Sequence, residues 1–269
     1  MFFEPPSSFA TLCTKSVIWE LLIFLDCVSA IHTNSRVFIV CDKHTDLVIK
    51  KQQGRWDLEV TTFIYLDSYS NLTRVKLESL GLVTEFWNNK SLVIELALKE
   101  YPDVLYLDCD VILLEKVLIP RGYQLGLSPQ FIPQRNSQEV GFYNGGFVYS
   151  NDHCFPALWR KANKTSRYLD QASLEVLALY YSEKVFEFDE GHNIQPWRPI
   201  LSADSGVNWY ESITKHENYY INFKKIKSFH THLNDKRFLE FNNFIMQVLE
   251  NKPIIRKILT KGIKDSYKY

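Results

Sequence analysis

The chain has 269 residues, 46% of them hydrophobic and 14% aromatic, which is enough to bury one sizeable core and a smaller lobe. Its 31 basic and 31 acidic residues give a formal net charge of zero, so it lacks the general basic surface of a nucleic-acid-binding protein. No internal repeat, low-complexity tract or Pro/Gly/Ser-rich linker interrupts the sequence. These features predict a single domain with a C-terminal extension.

Cysteine usage and the N-terminus bear on the compartment. The five cysteines are widely scattered and contain no C-x-x-C pair: Cys13, Cys27, Cys41, Cys109 and Cys154. This pattern argues against a disulfide framework or a zinc site and for a reducing compartment. The first residues lack the basic region of a signal peptide, and the most apolar run, residues 17–31, contains Glu20 and Asp26. We therefore expect a cytoplasmic protein with no transmembrane segment.

Strand-like and helix-like segments alternate in the first half of the chain. Apolar and β-branched runs predict strands at residues 9–13, 36–41, 58–66 and 104–107. Helical patterns predict helices at residues 16–32, 45–53 and 84–100, the last of them ended by Pro102. This alternation predicts an α/β fold whose mostly parallel sheet is flanked by helices. Ligands bind beyond the carboxyl ends of such strands, where Asp108 lies.

The second half of the chain is less regular. Residues 124–127 and 141–150 are strand-like and closely spaced, which predicts a locally mixed sheet. Residues 152–163 and 169–181 have helical patterns, and the chain is irregular after Glu190. A strand pattern returns at residues 225–232, followed by a helical region at 238–259 that is interrupted near Pro253.

The strongest chemical motif is Asp108-Cys109-Asp110 at the end of the 104–107 strand. Two close carboxylates repel each other, and a divalent cation such as Mg²⁺ or Mn²⁺ relieves the repulsion through hard oxygen ligands. Such a cation can bridge two phosphates and neutralise a diphosphate leaving group. The alternative is a strand-end turn with two solvated acids.

Three further motifs each have a structural and a functional interpretation. Asn144-Gly145-Gly146 lets a ligand approach the backbone closely, or is a bulge in a core strand. Asp170-Gln171 opens a predicted helix, where the helix dipole stabilises an acidic side chain. His230 and His232 share one face of a strand, so one imidazole could bind a metal, or one could be an ordinary buried histidine.

The order and spacing of several segments resemble the GT-A nucleotide-diphospho-sugar glycosyltransferases, most nearly the glycogenin-like enzymes. The likeness covers residues 9–181 and rests on residues 86–90 (FWNNK), 101–113 (YPDVLYLDCDVIL), 141–151 (GFYNGGFVYSN) and 169–174 (LDQASL). It implies a Rossmann-like GT-A fold and a donor site whose members are as follows: Asp108 and Asp110 on Mn²⁺ or Mg²⁺, Asn144, Gly145 and Gly146 on the donor sugar, Asp170 on its hydroxyls, Gln171 near the anomeric carbon, and either His230 or His232 on the metal. The glycine and Lys-Pro-Trp that follow this histidine in the family are missing here.

The resemblance also suggests a division of labour along the chain. Residues from about 9 to 120 would form the nucleotide-binding half, about 121–235 the donor-sugar and acceptor half, and 236–269 a helical tail. Thr11 and Thr14 end the first strand, where this fold places the nucleotide, and Lys90 could meet phosphate or the D-x-D acids. Asp204, Asn208 and Trp209 could receive an acceptor. An inverting enzyme would need a catalytic base, for which the candidates are Asp204, Asp189 and Glu190; the likeness at Asp170-Gln171 favours retention.

The predicted function is metal-dependent transfer of a hexose or pentose from a UDP- or GDP-sugar to a hydroxyl of a glycan, glycoconjugate or protein. One alternative is a haloacid-dehalogenase-like phosphatase, which also uses D-x-D but needs downstream acidic motifs that are missing here. A second is a non-catalytic module that binds sugar nucleotides. A third, nucleotidyl transfer, usually has a Gly-rich loop after the first strand, whereas residues 11–15 contain no glycine. The sequence does not specify the donor sugar, the nucleotide base, the acceptor or the oligomeric state.

Overall fold

The computed structural model describes residues 2–233 and 235–266, except the side chains of Arg74 and Lys236. Its strands are β1 (Phe3–Glu4), β2 (Ser8–Cys13), β3 (Ser35–Cys41), β4 (Leu58–Ile64), β5 (Val104–Leu107), β6 (Val111–Leu113), β7 (Ile119–Pro120), β8 (Leu125–Pro129), β9 (Tyr143–Ser150), β10 (Val185–Glu187), β11 (Ile213–Lys215), β12 (Tyr219–Ile221), β13 (Lys224–Lys225) and β14 (Ser228–His230). Its helices are α1 (Ile18–Ile31), α2 (Lys43–Lys51), α3 (Arg74–Ser79), α4 (Val83–Leu98), α5 (Gln134–Val140), α6 (Phe155–Asn163), α7 (Ser173–Tyr181), α8 (Trp197–Asp204), α9 (Leu239–Val248) and α10 (Pro253–Asp265).

The central sheet has seven strands in the described part of the chain, in the order β10-β8-β9-β5-β2-β3-β4. Strands β5, β2, β3 and β4 are parallel neighbours, and β10 is parallel to β8. Strand β9 runs antiparallel to both of its neighbours, β8 and β5. The prediction of a mostly parallel sheet that becomes mixed in the second half is therefore confirmed.

Helices cover both faces of this sheet because successive strand residues point to opposite sides. Phe9 packs in one buried cluster with side chains of α1 and α2. Ala10 belongs to a second cluster formed with α4, α6 and α7, which includes the fully buried Trp159. Strands covered on both faces read as continuous apolar runs, which is why the strand patterns of the first half were legible.

The C-terminal helices are a packed part of the protein. A third buried cluster joins Trp19 and Ile23 of α1 to Phe244 of α9 and Leu259 of α10. Helices α1 and α10 approach closely: a Cβ on Gly262 of α10 would lie 2.2 Å from Ile23 Cγ1 of α1. The predicted break falls at Pro253, which begins α10. Among the described residues, no helix has both the length and the apolar character needed to cross a membrane.

The prediction for the region after Glu190 was wrong. Instead of an irregular segment, this region contains α8 and an antiparallel sheet of β11, β12 and β13. Helix α8 tolerates its prolines because Pro196 is the N-cap and Pro199 lies in the first turn, where backbone N–H groups have no intrahelical partner. Helix α7 begins at Ser173, so Asp170 and Gln171 lie in the preceding turn rather than in the helix.

Candidate active site

Strand pairing brings the histidine segment to the D-x-D motif. Strand β14 runs antiparallel to β6 and sets His230 opposite Val111. Just beyond, the backbone N–H and the hydroxyl of Thr231 both donate to the carbonyl oxygen of Asp110 at 2.9 Å. Residues about 120 positions apart are thereby fixed at the carboxyl edge of the central sheet.

Asp110 and the two histidines form a compact cluster. His230 Nε2 lies 3.1 Å from Asp110 Oδ1, and His232 Nδ1 lies 3.3 Å from Asp110 Oδ2. One ligand atom from each residue lies within 4.8 Å of the other two. Burial by itself would lower the pKa of His230, but the carboxylates of Asp110 and Asp108 raise it. Burial likewise opposes ionisation of Asp110, yet the two imidazoles lower its pKa. The site therefore favours an ionised Asp110 next to a positively charged group.

Asn193 sets the orientation of the more buried imidazole. Its side-chain oxygen lies 3.1 Å from His230 Nδ1, and its own amide donates to Ser128 Oγ at 3.1 Å. When Nδ1–H donates to this oxygen, Nε2 is the nitrogen that faces Asp110: it donates to the carboxylate when the ring is protonated and offers a lone pair to a metal when the ring is neutral. Partners of this kind fix the tautomer of metal-binding histidines. The sequence analysis missed Asn193.

The first acid of the motif, Asp108, has different partners. Tyr106 donates its hydroxyl to Asp108 Oδ1 at 2.6 Å, and Lys90 Nζ lies 3.1 Å from the same oxygen. Lys90 is 5% exposed and also lies 3.0 Å from Asp170 Oδ2. Burial would lower the pKa of Lys90, but the carboxylates of Asp108 and Asp170 outweigh it and raise the pKa. Lys90 therefore serves as a buried counter-ion for both acids, and the surface role that the sequence left open does not apply.

The two glycines make room for these carboxylates. A Cβ on Gly145 would lie 2.3 Å from Asp170 Oδ2, and one on Gly146 would lie 2.4 Å from Asp108 Oδ2 and 2.7 Å from His230 Cε1. Any larger residue would therefore displace an acid or the imidazole. Gly146 N–H also donates to Asn144 Oδ1 at 2.9 Å, and Asn144 donates to Gln171 Oε1 at 3.1 Å.

Two adjoining cavities meet at this cluster. The larger, about 640 Å³, is lined by Asn144, Asp170, Gln171, Gln195 and Trp197 among others. The smaller, about 300 Å³, runs toward the end of β2 and has a mostly apolar wall; Thr14 is one of its lining residues. Their shared wall consists of Trp87, Lys90, Asp108, His230 and His232.

Several of the predicted residues lie elsewhere. Thr11 is fully buried in β2 and does not line either of these cavities. Asp204 and Asn208 are exposed around the end of α8, and Trp209 is 7% exposed in the core formed with α9. The other proposed bases also lie outside both cavities: Asp189 is ion-paired with Lys227 at 2.8 Å, and Glu190 accepts from Asn222 at 2.6 Å.

Four residues that the sequence analysis missed lie in one segment. Asn193, Gln195 and Trp197 all face the site, and Arg198 holds the backbone that carries them. Arg198 is fully buried and donates to the carbonyl oxygens of Glu190, His192 and Asn193 at 2.7, 3.0 and 3.2 Å. Burial lowers the pKa of this guanidinium to about 9. Only the Pro-rich composition marked the segment, and it pointed to a loop.

The sheet order, the D-x-D motif at the end of β5 and the glycine pair on β9 define a GT-A fold, as predicted. Among solved structures, the glycosyltransferase GlyE of Streptococcus pneumoniae TIGR4 matches with a TM-score of 0.59 and 11% identity, over 97% of this chain and 64% of that one. The present chain thus spans less than two thirds of GlyE.

Two further structures are matched over most of both chains. The galactosyltransferase LgtC, solved with donor and acceptor sugar analogs, gives a TM-score of 0.55 at 15% identity, over 94% of this chain and 95% of that one. Mouse xyloside xylosyltransferase 1 gives 0.54 at 12% identity, over 84% and 98%. Comparison of the sequence itself finds no matching family and no similar curated protein. At these identities the likeness establishes the fold.

Proposed function

We propose that this protein is a metal-dependent glycosyltransferase that uses a nucleotide-diphosphate sugar, a UDP- or GDP-sugar, as donor. One observation carries the proposal: Asp108, Asp110, His230 and His232 converge where two cavities meet, at the carboxyl edge of a GT-A sheet. Ligands of open α/β sheets bind at this edge.

The residues present fit a divalent cation. A carboxylate and two imidazoles lie within coordinating reach of one point, and this donor set suits Mn²⁺ better than Mg²⁺ because imidazole is a softer ligand than carboxylate. A cation held by Asp110, His230 and His232 would supply positive charge for the diphosphate. Asp108 lies beside it, 3.8 Å from His230 Nε2.

The two cavities suit the two parts of the donor. Apolar side chains of the smaller one, including Leu72, Leu77 and Phe86, offer a surface for the nucleoside. On the other side, Asp170 Oδ2 is buried and its close partner is Lys90 Nζ at 3.0 Å, which leaves a lone pair of this oxygen for a further donor. A sugar hydroxyl could donate to it. Asn144 and Gly146 line the same cavity, which supports assigning the Asn144-Gly145-Gly146 segment to the donor sugar.

The acceptor would enter through the larger cavity. Trp197 lines it and packs edge-on against His232, with ring centroids 6.4 Å apart, so its ring offers a surface for a sugar. The acids considered as bases, Asp189, Glu190 and Asp204, lie outside the cavity. We therefore favour retention, with Gln171 near the anomeric carbon and the leaving phosphate taking the proton. The acceptor is a hydroxyl of a glycan, glycoconjugate or protein. A cytoplasmic location is part of the proposal, supported by five free cysteines.

The test is to titrate UDP and GDP by calorimetry with Mn²⁺ and with EDTA, and to screen nucleotide sugars for hydrolysis and transfer. We expect metal-dependent binding and turnover. Asp110→Asn should lower turnover by about a hundredfold or more while preserving the fold. Asp46→Asn is the control, because Asp46 is a buried acid that pairs with Lys50 and lies outside both cavities.

Equal nucleotide affinity in EDTA, or near-normal activity of Asp110→Asn, would contradict the proposal. Metal-dependent binding without turnover of any nucleotide sugar would identify a binding module instead. Release of phosphate from a small phosphoester would restore the phosphatase alternative.

A further inference from the structure

Four side-chain amides form a continuous row beside the proposed cation site; three of them are buried and the fourth, Gln171, is half-buried. Asn144 Nδ2 donates to Gln171 Oε1 at 3.1 Å and to Gln195 Oε1 at 3.2 Å. Gln195 Nε2 in turn donates to Gln130 Oε1 at 3.2 Å, and Gln130 Nε2 donates to the carbonyl oxygen of Gly141 at 2.7 Å. Asn144, Gln195 and Gln130 are only 5%, 2% and 3% exposed.

The direction of every hydrogen bond in this row is fixed by backbone groups at its two ends. At one end, the N–H of Gly146 can only donate, so Asn144 must present its oxygen there and its NH₂ to the two glutamines. At the other end, the carbonyl of Gly141 can only accept, so Gln130 must present its NH₂ there and its oxygen to Gln195. Both ends impose the same orientation on Gln195, and reversing any one amide would leave buried groups unpaired.

The row determines which group Gln171 offers to a ligand. Because Asn144 donates to its oxygen, the NH₂ of Gln171 remains for the larger cavity, which Gln171 lines. A hydrogen-bond donor is thus held at the place where the proposed reaction brings the sugar and the leaving group together.

Gln195 is well placed to hold this orientation because the residue before it, Ile194, is hydrogen-bonded to strand β14, which ends at His230. The N–H of Ile194 donates to Ser228 O at 3.1 Å, and the N–H of His230 donates to Ile194 O at 2.8 Å. Arg198 clamps the preceding carbonyls. The same short segment therefore orients His230 through Asn193 and the amide row through Gln195.

We propose that Gln195 is a positioning residue: through Asn144 it holds the Gln171 amide with its NH₂ toward the substrates. This inference rests on the proposed function for its catalytic consequence, and on the row alone for its structural part.

The experiment compares Gln195→Leu and Gln195→Glu with the unmodified enzyme. Leucine removes both hydrogen bonds, and we expect kcat per folded enzyme to fall about tenfold to a hundredfold, the scale of a displaced catalytic group. The affinity for UDP with Mn²⁺, measured by calorimetry, should stay within about twofold, since Gln195 does not belong to the cation cluster. Glutamate still accepts from Asn144, and when protonated it also donates to Gln130. Its kcat relative to the unmodified enzyme should therefore recover as the pH falls.

Asn151→Leu is the control: Asn151 donates a side-chain amide to Tyr123 O at 3.0 Å, away from both cavities. It should cost stability without changing kcat. If Gln195→Leu retains kcat within about twofold, or if Gln195→Glu shows no recovery in acid, the positioning role is wrong.

A second measurement separates this inference from the proposed function. Absence of turnover by the unmodified enzyme with every nucleotide sugar tested would defeat the proposed function, and the row would then be judged by NMR on the free protein. We expect the side-chain amide protons of Asn144 to be protected from solvent exchange, and this protection to be lost in Gln195→Leu. Rapid exchange in the unmodified protein would overturn the inference.

Discussion

Replacing Gly146 by alanine tests whether the glycine pair exists to bring the acids and the imidazole together. The added Cβ would lie 2.4 Å from Asp108 Oδ2 and 2.7 Å from His230 Cε1, well inside van der Waals contact. The backbone cannot easily move away, because β9 is paired with β5 at the adjacent Phe147 and the carbonyl of Gly146 accepts from Asp108 N–H at 2.9 Å. The side chains of Asp108 and His230 must therefore shift.

The magnitude follows from the size of this clash. Forcing one extra methyl group into a packed site costs about 1–3 kcal/mol, and each kcal/mol lowers the Tm of a chain of this size by about 2–4 °C. Displacement of His230 from Asp110, now 3.1 Å apart, should also weaken Mn²⁺ binding by about tenfold or more, equivalent to about 1.4 kcal/mol.

The assay combines thermal unfolding with calorimetric titration of Mn²⁺ in the presence of UDP. Gly126→Ala is the matched control in the same sheet, since its Cβ would meet the end of the Phe186 ring at 2.3 Å on the neighbouring edge strand. This variant should lose stability but bind Mn²⁺ normally. Normal Tm and normal Mn²⁺ affinity in Gly146→Ala would refute the reasoning, and equal loss of Mn²⁺ binding in both variants would show that the effect is general destabilisation.

Three other predictions follow from the same geometry. Asn193→Leu should weaken Mn²⁺ binding about tenfold to a hundredfold, as measured by calorimetry, because it removes the partner of His230 Nδ1; unchanged affinity would contradict this. His230→Ala should weaken Mn²⁺ binding more than His232→Ala, since His230 is buried and oriented whereas His232 is half-buried; the reverse order would refute the assignment. The third prediction concerns His32, whose pKa is lowered to about 4 by burial and, to a smaller extent, by the charge of Lys116. Its Nε2 accepts a hydrogen bond from Val117 N–H at 3.0 Å, which also requires the neutral ring. The folded state therefore keeps His32 neutral, whereas the unfolded chain binds a proton below about pH 6.5. Stability is then complete above that pH and falls as the pH drops toward 4, by about 2 kcal/mol at pH 5; urea unfolding should show a smaller acid loss in His32→Gln, and an equal loss would contradict the prediction.

The first half of the fold could be predicted because its signals are local. Strands β2, β3 and β5 are covered on both faces, so their apolar runs identify them without knowledge of their neighbours. The D-x-D pair was legible for the same reason, because a short buried strand ends directly at Asp108. A locally mixed sheet was also predicted, from the spacing of the strand patterns at 124–127 and 141–150, but the place of β9 between β8 and β5 was not.

The rest of the site depends on contacts between distant residues. Nothing near Lys90 in the sequence shows that it is buried between Asp108 and Asp170, 18 and 80 positions away. Trp209 and Trp197 could not be told apart in the sequence, because both are aromatic residues in a stretch predicted to be irregular. Only packing distinguishes them: the rings of Trp209 and Phe244 have centroids 5.8 Å apart, whereas Trp197 lines the larger cavity. Prolines concealed α8 because a proline in a first turn and a proline in a loop look alike in sequence.

The segment from Asn193 to Arg198 explains how so few residues can define this site. Asn193 orients His230, and Gln195 orients the amide row, while a single buried arginine holds the backbone that leads into them, at residues 190, 192 and 193. Arg198 has no carboxylate at hydrogen-bonding distance among the described residues; its hydrogen bonds go to three carbonyl oxygens of residues 190–193. A charge buried this way costs free energy unless hydrogen bonds compensate for it. Turning any of these three carbonyls away from Arg198 would therefore destabilise the segment, which favours a single backbone conformation. The rigidity that the proposed transfer needs at His230 and at Gln171 would thus come from the same guanidinium, which lies outside both cavities.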